Sequence, residues 1–173
     1  MLWPTRGSAA GQGARPTFKA KAYSMASRHE SRERALQMLF LWDQSREAPD
    51  QVLAGYWGGL WTEELPPARG PVADDFANEL LCGAVRRAPE ADGLIAAHAE
   101  HWRLERMSAV DRNILRLAVF ELLEGQTPPP VVIDEALEIA HRFSGDEAAH
   151  FINGVLDAIR KDIEARRLTS QTT

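Results

Sequence analysis

From Ser27 onward, apolar residues recur at three- and four-residue spacing, and no stretch alternates apolar and polar positions between hairpin turns. That period turns one helix face toward a core, so the pattern predicts an all-α protein of about six or seven helices with short connections. Ser27 and Glu30 have the spacing of a capping box. The helix they open, RHESRERALQMLFLWDQS, is charged in its first half and places Ala35, Leu36, Leu39, Phe40 and Trp42 on a broad apolar face in its second. The Gly/Trp/Pro-rich run DQVLAGYWGGLWTEELPPARG has room for one short helix and then a loop. Pro71 suits the first turn of PVADDFANELLCGAVRRA, and Pro89 opens a helix that carries Leu94 and Ile95 toward His101 and Trp102. Ser108 and Asp111 mark a second cap ahead of SAVDRNILRLAVFELLEG, which Gly125 ends. Pro128, Pro129 and Pro130 predict an extended link before VVIDEALEIAHRF. A break at Ser144-Gly145 precedes the last helix.

That last helix contains Asn153-Gly154, a pair that normally marks a turn. Phe151, Ile152, Val155, Leu156, Ile159 and Ile163 keep helical spacing straight through it, which rules out a hairpin. The reading that follows is a packing device: Gly154 admits a neighbouring helix to close approach, and Asn153 satisfies a buried polar group at the crossing.

Composition narrows the class. The length of 173 residues suits one domain, which the pattern places at residues 25–168, with a short tail over 169–173. Residues 1–24 mix Gly, Ala, Pro and scattered basic residues without periodicity and read as a disordered arm, with translation beginning at Met25 as an alternative start. The arm holds Arg6, Arg15, Lys19 and Lys21 and no acid, so it contributes +4 to a net charge of −5 and leaves −9 on the body. An acidic body argues against sequence-blind attraction to a polyanion; any nucleic-acid site must be a local basic patch. No apolar run reaches the length of a membrane span and no signal peptide precedes the first helix, so the expected location is the cytoplasm.

Enzymatic readings find little support. Cys82, the single cysteine, lies in the apolar run ELLCGAV and reads as a buried, inert thiol. His98 and His101 are three apart but lack the further ligands of a metal site, and the adjacent pairs Asp74-Asp75 and Glu63-Glu64 point to different faces of a helix. No P-loop or dinucleotide fingerprint occurs. Neither catalysis, a metal nor a cofactor is expected. The basic start of the first long helix is the stronger candidate. Arg28, His29, Arg32 and Arg34 cluster within two turns, Arg28 and Arg32 share a face, and planar guanidinium groups suit phosphate. Phe40, eight residues beyond Arg32 on nearly the same side, could stack on an unpaired base. Glu30 and Glu33 interleave with the arginines, however, and an ordinary solvated face and a core phenylalanine give the same pattern.

Three segments in order, RERALQMLFLWD, MSAVDRNILRLAVFELL and VVIDEALEIAHRFSGDEAAHFINGVLDAI, resemble the bacterial transcription antitermination factor family NusB. The resemblance covers nearly everything from Ser27 to Ile159. It implies two small helical bundles packed perpendicular to one another and a non-enzymatic adaptor. Such an adaptor pairs with the ribosomal protein NusE on single-stranded boxA RNA of nascent ribosomal-RNA transcripts. It helps assemble an antitermination complex on RNA polymerase with other Nus factors. Residue by residue, the resemblance implies RNA contacts at Arg28, His29, Arg32, Phe40, Glu147 and His150. It implies NusE contacts at Phe40 and Asp111. Asp111 also fits the helix cap, and the two roles are compatible. Here His29 and Glu30 interrupt the arginine run, Phe40 stands for a frequent Tyr, and His150 for Lys or Arg; each change weakens an electrostatic contact, which the basic arm would offset. Apolar surface near Phe40 leaves homodimerisation without NusE open. Two other classes fit the pattern: the NusB-like N-terminal module of ribosomal-RNA cytosine methyltransferases, and a helical interaction module without RNA function.

Overall fold

The computed structural model describes residues 27–59, 74–99 and 103–171. The arm over 1–24, Met25, Glu63-Glu64, Pro71, Val72, His101 and Trp102 lie outside the described residues. Among those described, seven α-helices and one 3-10 turn occur and no strand: α1 Arg28–Ser45, α2 Pro49–Gly59, α3 Asp75–Arg86, α4 Ala88–His98, the 3-10 turn Leu104–Arg106, α5 Ala109–Glu124, α6 Pro129–Phe143 and α7 Asp146–Gln171.

The helix ends follow from local chemistry. At α1 both halves of the Ser27/Glu30 capping box form. Ser108 caps α5 by accepting from the Asp111 amide at 3.0 Å, but Asp111 does not return the bond, so this box is half-made. Gly125 ends α5 in the left-handed region at φ 67°, where a Cβ is costly. The start expected at Pro71 moves to Asp74, whose extended backbone and side-chain bond to the Ala77 amide cap α3. Arg87 alone separates α3 from α4. Pro129 and Pro130, expected in an extended link, instead form the first turn of α6, where a missing N–H costs nothing; Pro128 alone is extended. The helix α7 runs to Gln171, through the start of the expected tail.

Packing is organised around α5, which is buried without interruption from Asn113 to Leu122. It touches α1, α3, α4, α6 and α7, while α1 also packs on α2 and α3, and α6 on α7. Two helical groups, α1–α3 and α4 with α6 and α7, thus share one central helix. Ala35, Leu36 and Leu39 of α1 enter the core together with Leu80, Leu81, Ile114, Leu115, Ile139, Ile152, Leu156 and Ile159.

The glycine that permits close helix approach is not the one the sequence suggested. Asn153 and Gly154 are exposed, and a Cβ added at Gly154 would meet nothing. A Cβ on Gly83, by contrast, would overlap the Phe120 ring where α3 crosses α5. The wheel explains the difference: Gly154 shares its face with His150, Asp157 and Lys161, all solvent-side, whereas Gly83 sits among Leu80, Leu81 and Ala84. Gly154→Ala is therefore expected to stabilise the protein by up to ~1 kcal/mol through helix propensity. Gly83→Ala is expected to destabilise it by ~1–3 kcal/mol through overpacking. Urea unfolding of the two variants checks the pair, and equal effects would overturn the assignment.

Candidate nucleic-acid interface

The basic start of α1 divides into two flanks, because its side chains meet different neighbours. Arg28 is exposed, with its guanidinium 3.9 Å from the centroid of the Phe76 ring on α3. Arg32 turns inward. It is 4% exposed and donates a fork of two hydrogen bonds to Glu121 on α5, at 2.8 and 2.7 Å. Arg34 is bound to Asp74 at 2.8 Å. The arginine face expected to be open to solvent is therefore mostly engaged in holding α1 to α3 and α5.

On the other flank, His29 lies among three carboxylates: Glu135 at 2.9 Å, Glu33 at 3.3 Å and Glu138 at 3.5 Å. Burial pushes its imidazole pKa down, but the hydrogen bond it donates to Glu135 and the three negative charges outweigh it, and the net shift is upward. His29 therefore carries more positive charge than a free imidazole at the same pH, but a cation held by three carboxylates presents little net positive potential to a phosphate. It joins α1 to α6.

Phe40 is 38% exposed and its neighbour Leu41 45%, so this aromatic is a surface residue and not core. Eight residues turn a helix by about 80°, which is why Phe40 faces solvent while Arg32 faces the core. It shares its face instead with His29 and Glu33, at positions i, i+4 and i+11. Glu33 pairs with Arg142 in the last turn of α6. That ion pair ties the end of α6 to the same side of α1; Glu147 and His150 follow in the first turns of α7, both exposed. The His150 Nδ1–H donates to the Asp146 carbonyl at 2.8 Å, which leaves Nε2 facing outward.

Asp111 lies at the opposite end of α1. Its neighbour Arg112 is bonded to Asp43 near the α1 C-terminus. Asp111 is half-buried, and its Oδ1 is shielded from solvent without a hydrogen-bond partner. An acceptor of that kind is costly unless something supplies a donor. Arg28 and Phe40 are separated along α1 by roughly 18 Å, so Arg28 marks one end of the exposed side of α1 and Phe40, Leu41 and Asp111 mark the other.

Two features needed the structure to be seen. Phe76, which carries Arg28, gives no sign in the sequence of being more than an apolar face residue. The engagement of Arg32 depends on a partner 89 residues away. Cys82, expected to be buried, is half-buried, and burial pushes its thiol pKa upward, away from the reactive thiolate. His98 is hydrogen-bonded to Asp162 at 3.0 Å. Among the described residues no group of three or more His, Cys, Asp or Glu is placed to hold a metal, and no helix is long and apolar enough to cross a membrane.

Comparison with known proteins identifies the family. Residues 29–161 match the model of the NusB family. The transcription antitermination protein NusB of Solibacter usitatus (strain Ellin6076) is 50% identical over 139 residues, covering 80% of this chain and 92% of that protein. That of Koribacter versatilis (strain Ellin345) is 48% identical over 142 residues, covering 82% and 93%. Among solved structures, T. maritima NusB superposes with a TM-score of 0.66 at 34% identity, covering 79% of this chain and 92% of that one. A chain from the crystal structure of the antitermination factors NusB and NusE in complex with dsRNA gives 0.64 at 28% identity, covering 78% and 96%. With its all-helical architecture and a family match over most of its length, the chain belongs to the NusB family.

Proposed function

We propose that this protein is a non-enzymatic antitermination factor, acting in the cytoplasm as an adaptor between RNA and protein. It pairs with NusE on single-stranded boxA RNA of nascent ribosomal-RNA transcripts and helps assemble the Nus factors on elongating RNA polymerase. The observation that carries the reading is the open α1 surface. Phe40 is exposed on the His29 face, Arg28 is exposed at the start of the helix, and Glu147 and His150 are exposed at the entry of α7. In a solved neighbour with the same fold, NusB is seen with NusE in complex with dsRNA.

The residues take different parts. Arg28 supplies the open cation, and Phe40 a ring for an unpaired base. Arg32 and His29 act by fixing α1, while Glu147 and His150 border the RNA from α7. His150 stands where a permanent cation would bind phosphate more strongly. Asp111, with its unpartnered Oδ1, offers an acceptor to a donor on NusE at the far end of α1. Without NusE, Phe40 and Leu41 form an apolar spot through which two copies could associate.

The test is one binding series: boxA single strand, a scrambled single strand and a duplex, with and without NusE, at two salt concentrations. Preference for the boxA strand, strengthened by NusE, is expected. Equal binding to every RNA under all conditions overturns the reading and leaves a helical interaction module. Phe40→Ala is expected to weaken RNA binding by ~1–3 kcal/mol with little change in thermal stability, because the ring is already exposed. Asp111→Asn is expected to weaken NusE binding without unfolding α5, since Ser108 supplies the cap by itself.

A further inference from the structure

We infer that the groove between α3 and the α5–α6 turn holds an unpaired nucleobase of the RNA strand that meets α1. The inference rests on the RNA-binding reading above and extends the strand's path around the α1 N-terminus to the flank opposite Phe40. The groove encloses about 340 Å3, within the range of roughly 300–1,000 Å3 usual for small-molecule clefts. Phe76, Leu80 and Phe120 form its apolar walls.

Its polar lining is of two kinds. Glu121 and Glu124 are occupied, by Arg32 and Arg87. Glu79, Arg86 and Gln126 have no hydrogen-bond or ion-pair partner among the described residues, although they line the same cleft. Many of the described arginines are tied to carboxylates, including Arg32, Arg34, Arg87, Arg112, Arg116, Arg142 and Arg160. Arg28 and Arg86 are among those without a carboxylate partner; Arg86 lines this groove, and Arg28 stands outside its lining, against the wall residue Phe76. Arg86 stands ten residues further along α3, roughly 15 Å away.

That distribution selects the ligand. The carboxylates inside the cleft repel phosphate, so a phosphate belongs at the two arginines and not on the groove floor. A neutral base fits between them, its faces against the aromatic and aliphatic walls. An exocyclic amine of the base would donate to Glu79, and its remaining edge would meet the Gln126 amide. Gly83 shapes the cavity, because without a Cβ it lets Phe120 approach α3 and form the back wall.

Cys82, the chain's single cysteine, lines the groove and reports on it. The full-length protein is titrated with a fluorescent boxA single strand, binding is followed by anisotropy, and N-ethylmaleimide alkylation of Cys82 is timed at each point. A base in the groove blocks the thiol, so saturation is expected to slow alkylation at least about fivefold. Arg86→Gln is expected to reduce affinity by about three- to tenfold and to lower the log–log salt slope by roughly 0.7, with unchanged melting. RNA that saturates while alkylation proceeds at its original rate removes the groove from the RNA path and leaves the antitermination reading standing. Unchanged affinity and slope in Arg86→Gln does the same. Absence of RNA binding under every condition defeats both.

Discussion

Asp43→Ala is expected to lower the unfolding free energy by about 3–5 kcal/mol, the usual cost of removing one partner from a buried ion cluster. The Asp43 side chain has no solvent exposure, yet it accepts from Arg112 at 2.5 and 3.1 Å, from Arg116 at 2.9 Å and from Asn113 at 3.3 Å. Arg116 is itself buried and continues to Asp92 on α4. One carboxylate near the end of α1 thus fixes the first turns of α5 and, through Arg116, the middle of α4. Its removal leaves the Arg116 guanidinium in the core with only Asp92 as counter-charge. Arg112 keeps only the Leu104 and Met107 carbonyls.

The same cluster sets an acid limit. Burial pushes the Asp43 pKa up, but the hydrogen bonds and charges of Arg112 and Arg116 outweigh it and hold the carboxyl below its ordinary value. A carboxyl depressed on folding contributes stability above its unfolded pKa, about 3.9, and that contribution disappears as pH falls through the lower folded value. Wild-type stability should therefore drop on acidification below about pH 4. In Asp43→Asn the drop should be shallower, because the amide starts without the charge. Urea unfolding at neutral and acid pH measures both effects. A loss under about 1 kcal/mol for Asp43→Ala would show that the cluster contributes no more than an exposed pair. The change should also weaken NusE binding, since Arg112 adjoins Asp111.

Most of the helical frame was legible because its signals are local. The Ser27/Glu30 box, the Ser108 cap, Gly125 and the break at Gly145 each act within a few residues, and each stands where the pattern put it. The solvent side of α7 was also readable, since His150, Gly154, Asp157 and Lys161 share one face; the Asn-Gly pair drew attention away from it. Two proline positions were misjudged because a first helical turn and an extended link accept the same residue. What the pattern could not show was the direction of the α1 arginines. Arg28, Arg32 and Arg34 look alike in sequence, and only the placement of Phe76, Glu121 and Asp74 distinguishes an open cation from two engaged ones. The candidate site is therefore partly legible: the sequence points to Phe40 and the α7 entry, which the structure leaves exposed, and gives no sign of the groove beside Phe76.

Arg32 offers the sharpest separation of fold from binding. Arg32→Ala is expected to cost about 3–5 kcal/mol in stability, against less than about 0.5 kcal/mol for the exposed Arg28→Ala. The reason is the Glu121 carboxylate, which is 6% exposed and receives both of the Arg32 hydrogen bonds. Its remaining contact, from the Thr127 hydroxyl, is a long 3.5 Å. Truncating Arg32 leaves that charge facing Leu36, Leu117 and Val132 across a small internal gap. Replacing both partners by apolar residues of similar volume, Arg32→Met with Glu121→Leu, should recover most of the loss, because neither charge is then stranded. RNA affinity of the double variant, measured where it is fully folded, is expected to stay near wild type, while Arg28→Ala loses affinity with its fold intact. A stable Arg32→Ala protein that fails to bind RNA would reverse this assignment and make Arg32 a direct contact. The two arginines stand one helical turn apart, so the opposite outcomes would come from burial and partner alone.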